Sequence, residues 1–176
     1  MKGRLFALIA LAALLVPVSA SAFETAGKFG LGYDADMNGL NMRYYFGRTG
    51  IDFTLGFGLQ TKRADGEALK FDLVAAPKLV HAIELAKDVN LNVIGGLFVQ
   101  VLGSNVKDTT DLNMGVFGGL APEILLFDHL ALEVFFGITA NINNLLKKQA
   151  AKINFNVGTL GSRLSVVSGA VFRYYF

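Results

Sequence analysis

The sequence predicts an all-β fold: an eight-stranded, antiparallel, up-and-down transmembrane β-barrel. Three observations predict it. Past residue 22 the chain consists of segments in which apolar residues alternate one by one with polar residues or glycine, the pattern of strands with two different faces. It is 53% hydrophobic, with 15 Phe and 20 Gly, yet beyond its leader it has no run of the ~20 apolar residues that a spanning helix requires. Its last segment, Val166 to Phe176, is apolar and aromatic to the end. Such a composition leaves a large soluble core or a barrel whose outside meets lipid. The last segment favours the barrel, where it closes against the first strand and sets aromatics at the membrane interface.

The chain opens with cationic Met1-Lys2-Gly3-Arg4, an apolar run from Leu5 to Val16, then Pro17 and Ala20-Ser21-Ala22. This reads as a secretory signal peptide, residues 1–22, cleaved after Ala22; the run is too short to cross ~30 Å of hydrocarbon. Residues 23–176 then form one domain. Of sixteen basic residues Lys2 and Arg4 fall in the leader, so fourteen remain against fourteen acids and the rest of the chain is formally neutral. No clustered positive field points to nucleic acid. The absence of cysteine excludes disulfides, thiolate metal ligation and a lipid-bearing Cys.

The first strand runs Lys28 to Asp34, with Phe29, Leu31 and Tyr33 opposite Lys28, Gly30, Gly32 and Asp34. After a turn at Asp36-Met37-Asn38-Gly39, the second runs Leu40 to Phe46, with Asn41, Arg43 and Tyr45 on its polar face. Gly47 to Gly50 is a tight turn. In the third strand Ile51, Phe53, Leu55, Phe57 and Leu59 alternate with Asp52, Thr54, Gly56, Gly58 and Gln60. A charged loop, Thr61 to Ala68, leads to a fourth strand from Leu69 towards Ile83, in which Pro77 predicts a bulge or break and leaves the later parity open. Ala86 to Asn90 is a short turn. The fifth strand, Leu91 to Leu102, is apolar on both faces; a loop from Gly103 to Asp111 follows. In the sixth, Leu112 to Phe127, Met114, Val116, Leu120, Ile124 and Leu126 oppose Asn113, Gly115, Phe117, Gly119 and Glu123. Asp128-His129 reverses the chain into the seventh, where Leu130, Leu132, Val134, Phe136 and Ile138 oppose Glu133, Phe135, Gly137, Thr139 and Asn141. A long connection, Asn143 to about Ser165, precedes the last strand, in which Ala170, Phe172, Tyr174 and Phe176 oppose Gly169, Val171, Arg173 and Tyr175. The even-numbered connections are short and most of the others longer, as in barrels with short periplasmic turns and longer outer loops, which puts both termini on the periplasmic side.

Threaded up and down, Lys28, Arg43, Asp52, Glu123, Glu133 and Arg173 fall on the inward parity and towards the periplasmic half. Strands six, seven, eight and one are consecutive around a closed barrel, so their charges are expected to pair in an internal network that plugs the lower lumen. Inward glycines beside Phe98, Phe117 and Phe135 place small against large, as narrow barrels fill their interiors. A wide channel is not expected.

Chemistry-bearing motifs are sparse. His81 and His129 have no serine in a nucleophile arrangement, and Gly115 to Gly119 lacks the Lys-Ser/Thr of a phosphate loop. No catalytic, cofactor or metal site is expected, although Asp34/Asp36 and Asp108/Asp111 are carboxylate pairs of the kind that hold calcium. Lys147, Lys148 and Lys152 in the last connection are candidate contacts for anionic lipid head groups.

The pattern resembles the small eight-stranded outer-membrane barrel proteins of the OmpA/OmpX-like group. The resemblance rests on Phe172, Tyr174 and Phe176, which look like the terminal signal read by the barrel-assembly machinery, and on the hairpin-like RYYFGRTGIDFTLGFG and GLAPEILLFDHLALEVFFGI. It implies an outer-membrane location, lipids and the assembly machinery as partners, a monomer, and a non-enzymatic role in surface interaction or envelope integrity. A narrow pore or small-ligand transporter is the alternative. The His-x-Ser pattern of lipid A-modifying barrels is absent from the sequence.

Overall fold

The structure is a computed structural model and describes residues 25–60, 70–104, 110–143, 145–146, 152–158 and 169–176, with the backbone alone for residues 60, 104 and 152–158. All regular structure among these residues is strand: β1 (Phe29–Asp34), β2 (Gly39–Tyr45), β3 (Thr49–Gln60), β4 (Lys70–Ala86), β5 (Val89–Ser104), β6 (Asp111–Leu126), β7 (Leu130–Asn143), β8 (Lys152–Gly158) and β9 (Gly169–Tyr175). Each neighbouring pair is antiparallel, β6 pairs with β7, and β9 pairs with both β7 and β1, so the sheet closes on itself. Eight staves make the ring, because β8 and β9 share one. β8 lies on the upper half of β7 (Gly137↔Gly158 to Asn143↔Lys152) and β9 on its lower half (Leu130↔Tyr174 to Phe135↔Gly169). The predicted single last strand therefore becomes two. Gly137 and Phe135 are two residues apart on β7, and their partners Gly158 and Gly169 are eleven apart, so two separate segments of the chain share this stave.

Alternation decides the two faces. Phe57, Phe136 and Phe172 are 52%, 41% and 51% exposed on the outside, whereas Arg43 and Glu133 are each 1% exposed within. Pro77 does not break β4, contrary to expectation. It has no N–H and leaves Ala76 and Pro77 out of the β4–β5 ladder, yet the register is the same on either side (Ala75↔Val99, Lys78↔Gly96). Pro122 does the same between β6 and β7 (Leu120↔Phe136, Glu123↔Glu133). Parity is thus kept through Pro77 and carries Lys78 inward; the one register shift in β4–β5 comes later, between Glu84 and Ala86.

The ring has a near end, where β1 starts, β9 ends and the short turns lie, and a far end. β1 and β2 have six and seven residues against 14 to 17 in β4 to β7. The β1–β2 turn consequently sits inside the height of the wall, where Asp36 and Met37 line a recess with Phe117, Phe135 and Glu133. The inward phenylalanines fill the space left by glycines: Phe117 Cζ lies 2.8 Å, and Phe98 Cε1 2.6 Å, from where a Cβ on Gly96 or Gly115 would be. Phe117 and Phe135 meet edge to face at 5.9 Å. The recess beside them is about 20 Å³, room for roughly one water.

Candidate functional site

The lower lumen holds a charged cluster to which every stave contributes. Asp34 comes from β1, Asn41 and Arg43 from β2, Asp52 and Thr54 from β3, Lys78 from β4, Asn92 from β5, Glu123 from β6, Glu133 from β7 and Arg173 from β9; all are buried. Neighbouring strands set two opposite-charge pairs face to face, Arg43↔Asp52 and Asp52↔Lys78, and one like-charge pair, Glu123↔Glu133. The like pair would repel unless cations were shared across it.

Two arginines supply that charge. Arg43 Nη1 and Nη2 donate to both oxygens of Glu133 at 2.7 and 2.9 Å, while Nε donates to Asp52 Oδ2 at 2.8 Å. Arg173 Nη1 donates to Glu123 Oε1 at 2.8 Å and Nη2 to Asp52 Oδ2 at 3.1 Å. Asn92 Nδ2 bridges the two glutamates at 3.0 and 2.6 Å, and Asn41 Oδ1 accepts from Arg173 Nε at 2.9 Å. Lys78 Nζ reaches Asp34 Oδ2 at 3.0 Å and Asp52 Oδ1 at 3.3 Å. Tyr175 Oη donates to Glu123 Oε1 at 2.7 Å, so the layer of Tyr45, Tyr175, Ala82, Ala121 and Ala131 is bonded to the cluster as well as packed against it. The planar fork of guanidinium suits this bidentate work, which a lysine could not perform.

Of the six residues expected to form the network, the structure brings five together: Arg43, Asp52, Glu123, Glu133 and Arg173. Lys28 stands apart from this group, half-buried at the foot of the barrel, with backbone bonds to Thr25 and Tyr45. Its place is taken by Lys78, which sequence reading missed because the parity beyond Pro77 was open. Asp34 was read as one of a calcium-type pair. In the fold its Oδ1 accepts the N–H groups of Asp36 and Met37 and its Oδ2 accepts from Thr54 and Lys78, so its lone pairs are engaged. Among the described residues no group of three or more His, Asp or Glu is placed to hold a metal. Asp108 lies outside the described residues.

A signal in the sequence could have led further. Arg-Tyr-Tyr-Phe occurs twice, at 43–46 and at 173–176. The copies flank β1 on either side, each with its arginine inside the ring and set against its own second tyrosine, at 5.7 Å (Arg43 over Tyr45) and 5.8 Å (Arg173 over Tyr175). Between them β1 presents glycine. A Cβ on Gly30 would sit 2.4 Å from Arg173 Cδ and 2.8 Å from Tyr175 Cε1. Both neighbours are fully enclosed and held by ion pairs or hydrogen bonds, so neither can give way. Gly30→Ala is expected to destabilise the barrel by about 1–3 kcal/mol, the range for overpacking a filled core, measured by urea unfolding in detergent or lipid.

Phe172, Tyr174 and Phe176 point outward from the end of the chain and are exposed. Tyr174 and Phe176 meet at 5.0 Å, Phe29 stacks on Phe176 at 6.2 Å and His129 on Tyr174 at 5.4 Å, forming part of an aromatic band at the near end. His81 is also outward and bonds Thr49 Oγ1 at 3.0 Å. Lys147 and Lys148 lie outside the described residues, and only the backbone of Lys152 is described.

No family model, no curated protein and no solved structure matches this chain.

Proposed function

We propose that this protein is an integral outer-membrane β-barrel, without enzymatic activity, that serves envelope integrity or surface interaction through the loops at its far end. The observation that carries the reading is the inversion of the usual pattern. Apolar side chains are exposed around the wall, among them Leu31, Leu40, Ile51, Leu55, Leu79, Leu97, Val116, Leu120 and Ile138, while Arg43, Asp52, Glu123, Glu133 and Arg173 are enclosed. A surface of this kind suits hydrocarbon rather than water. The aromatic band at the near end fits the level of the head groups. Phe127 supports it too: it is 89% exposed and holds φ of 53°, a strained conformation for a bulky side chain that an apolar contact outside would offset. On this reading the near end is periplasmic, the barrel is a monomer among outer-membrane lipids, and Phe172, Tyr174 and Phe176 are the signal taken by the barrel-assembly machinery. The enclosed ion pairs favour a closed lumen over a pore.

The test is fractionation with heat-modifiability, joined to planar-bilayer recording. The expected result is a protein extracted from the outer membrane only by detergent, with a gel mobility that changes on boiling and no conductance after insertion. Recovery from the periplasm without detergent would refute the membrane reading. Steady single-channel currents would instead favour a narrow pore, and a change in lipid A mass on expression a lipid-modifying activity.

A further inference from the structure

The recess above the charged cluster is lined by Asp34, Asp36, Lys78 and Glu133 together with Met37, Ile94, Phe117, Phe135, Gly169 and Val171. The enclosed cluster beneath it already holds four carboxylates, Asp34, Asp52, Glu123 and Glu133, against three cations, Arg43, Lys78 and Arg173. Asp36 adds a fifth acid from the β1–β2 turn. Lys78, the cation lining the recess, is engaged at 3.0 Å with Asp34 and at 3.3 Å with Asp52. A negative Asp36 would therefore add its charge to that of Asp34 beside a recess with room for about one water, a cost that the neutral acid does not carry.

The turn is built so that this charge matters. Asp34 Oδ1 holds the N–H groups of Asp36 and Met37, both at 3.1 Å. The Met37 side chain packs on the buried core. Asn38 is left-handed (φ 49°), bonds Phe57 O at 2.8 Å and accepts from the Tyr33 hydroxyl, which anchors the outer side of the turn. The inner side rests on Asp34 and Met37.

We propose that Asp36 is a proton-linked latch: as the neutral acid it stays seated in the recess and closes the top of the charged cluster, and as the carboxylate it leaves, taking the inner side of the β1–β2 turn with it. The electrostatics of the site agree with the geometry. Burial, and then the neighbouring Asp34, push the Asp36 carboxyl up to about 7, with Lys78 opposing. Because the folded chain holds this proton more tightly than the unfolded chain, the seated turn is favoured in acid, and the advantage is lost as pH rises through about 7. The device depends only on the ring and its contents, and stands whether or not the wall faces a membrane.

Amide exchange of the folded barrel in detergent, compared at pH 5.5 and 8.5 and corrected for intrinsic exchange rates, reads the latch at the two amides that Asp34 holds. Protection of Asp36 and Met37 is expected to fall at least tenfold between the two pH values in the wild type and to stay constant in Asp36→Asn. Unchanged wild-type protection, or the same fall in Asp36→Asn, would overturn the proposal. If Asp36→Asn does not fold, the carbon-13 titration of the wild-type Asp36 carboxyl decides: a midpoint near 7 supports the latch and one near 4 refutes it.

Discussion

Arg43→Ala is expected to destabilise the barrel by about 3–5 kcal/mol, the range for removing one partner of a buried ion pair. Arg43 is the only described cation with a two-pronged bond to Glu133, and it also holds Asp52 at 2.7 Å. Its loss leaves two carboxylates under-compensated inside the ring and lets Glu133 face Glu123 directly across the β6–β7 ladder. Glu133→Ala should cost less than Arg43→Ala. It removes one acid from a cluster with four acids and three cations, relieves the like-charge pair, and leaves Arg43 bonded to Asp52. Arg43→Met combined with Glu133→Leu should cost less than the two single changes together, because the pair is then replaced by apolar volume rather than orphaned. Urea unfolding of all the variants in one lipid gives the ranking, and bilayer recording of Glu133→Ala should still show no conductance. If Arg43→Ala falls within about 0.5 kcal/mol of the wild type, the scale of an ordinary surface change, the cluster does not stabilise the fold.

Leu97→Arg is expected to be the second severe change, and it tests the surroundings of the barrel rather than its contents. Leu97 lies midway along β5, opposite Val116 of β6, and is 55% exposed on the outer wall. In hydrocarbon an arginine there costs about 2–4 kcal/mol near the midplane, falling towards zero near the interfaces. In water the same substitution would be nearly neutral or improve solubility. Refolding into lipid vesicles followed by denaturant unfolding separates the two. Equal stability of Leu97→Arg and the wild type would place this wall in water.

These two experiments probe parts of the molecule that differed in legibility. Much of the wall was legible: the outward sets read for the first three strands and for the sixth, seventh and last face outward in the fold, because alternation along a strand is local and needs no partner. Its ends were less so. Within the long Asn143 to Ser165 connection, Lys152 to Gly158 extends the eighth stave, where Ile153, Phe155 and Val157 alternate with Asn154 and Asn156 in the sequence. Pro77 misled for an instructive reason. A missing N–H removes a bond from one ladder, but the opposite edge of β4 stays paired with β3 throughout (Thr54↔Ala76, Phe53↔Pro77), so the strand continues.

The cluster was legible as a set of inward charges, and its pairing was not. Arg43 and Glu133 are 90 residues apart and Arg173 and Asp52 are 121 apart. What joins them is the stagger of all eight staves around the ring, to which no single segment testifies. Lys78 was hidden for another reason, the parity left open beyond Pro77, which only the continuous β3–β4 ladder resolves. The sequence by itself determined the strands, the two faces and the burial of charge, because side-chain alternation is a property of each extended segment alone. Only the closed tertiary structure decided which charges meet, that Asp34 serves Lys78 and its own turn, and that Asp36 lies over the cluster, because those distances exist only once the last strand has paired with the first.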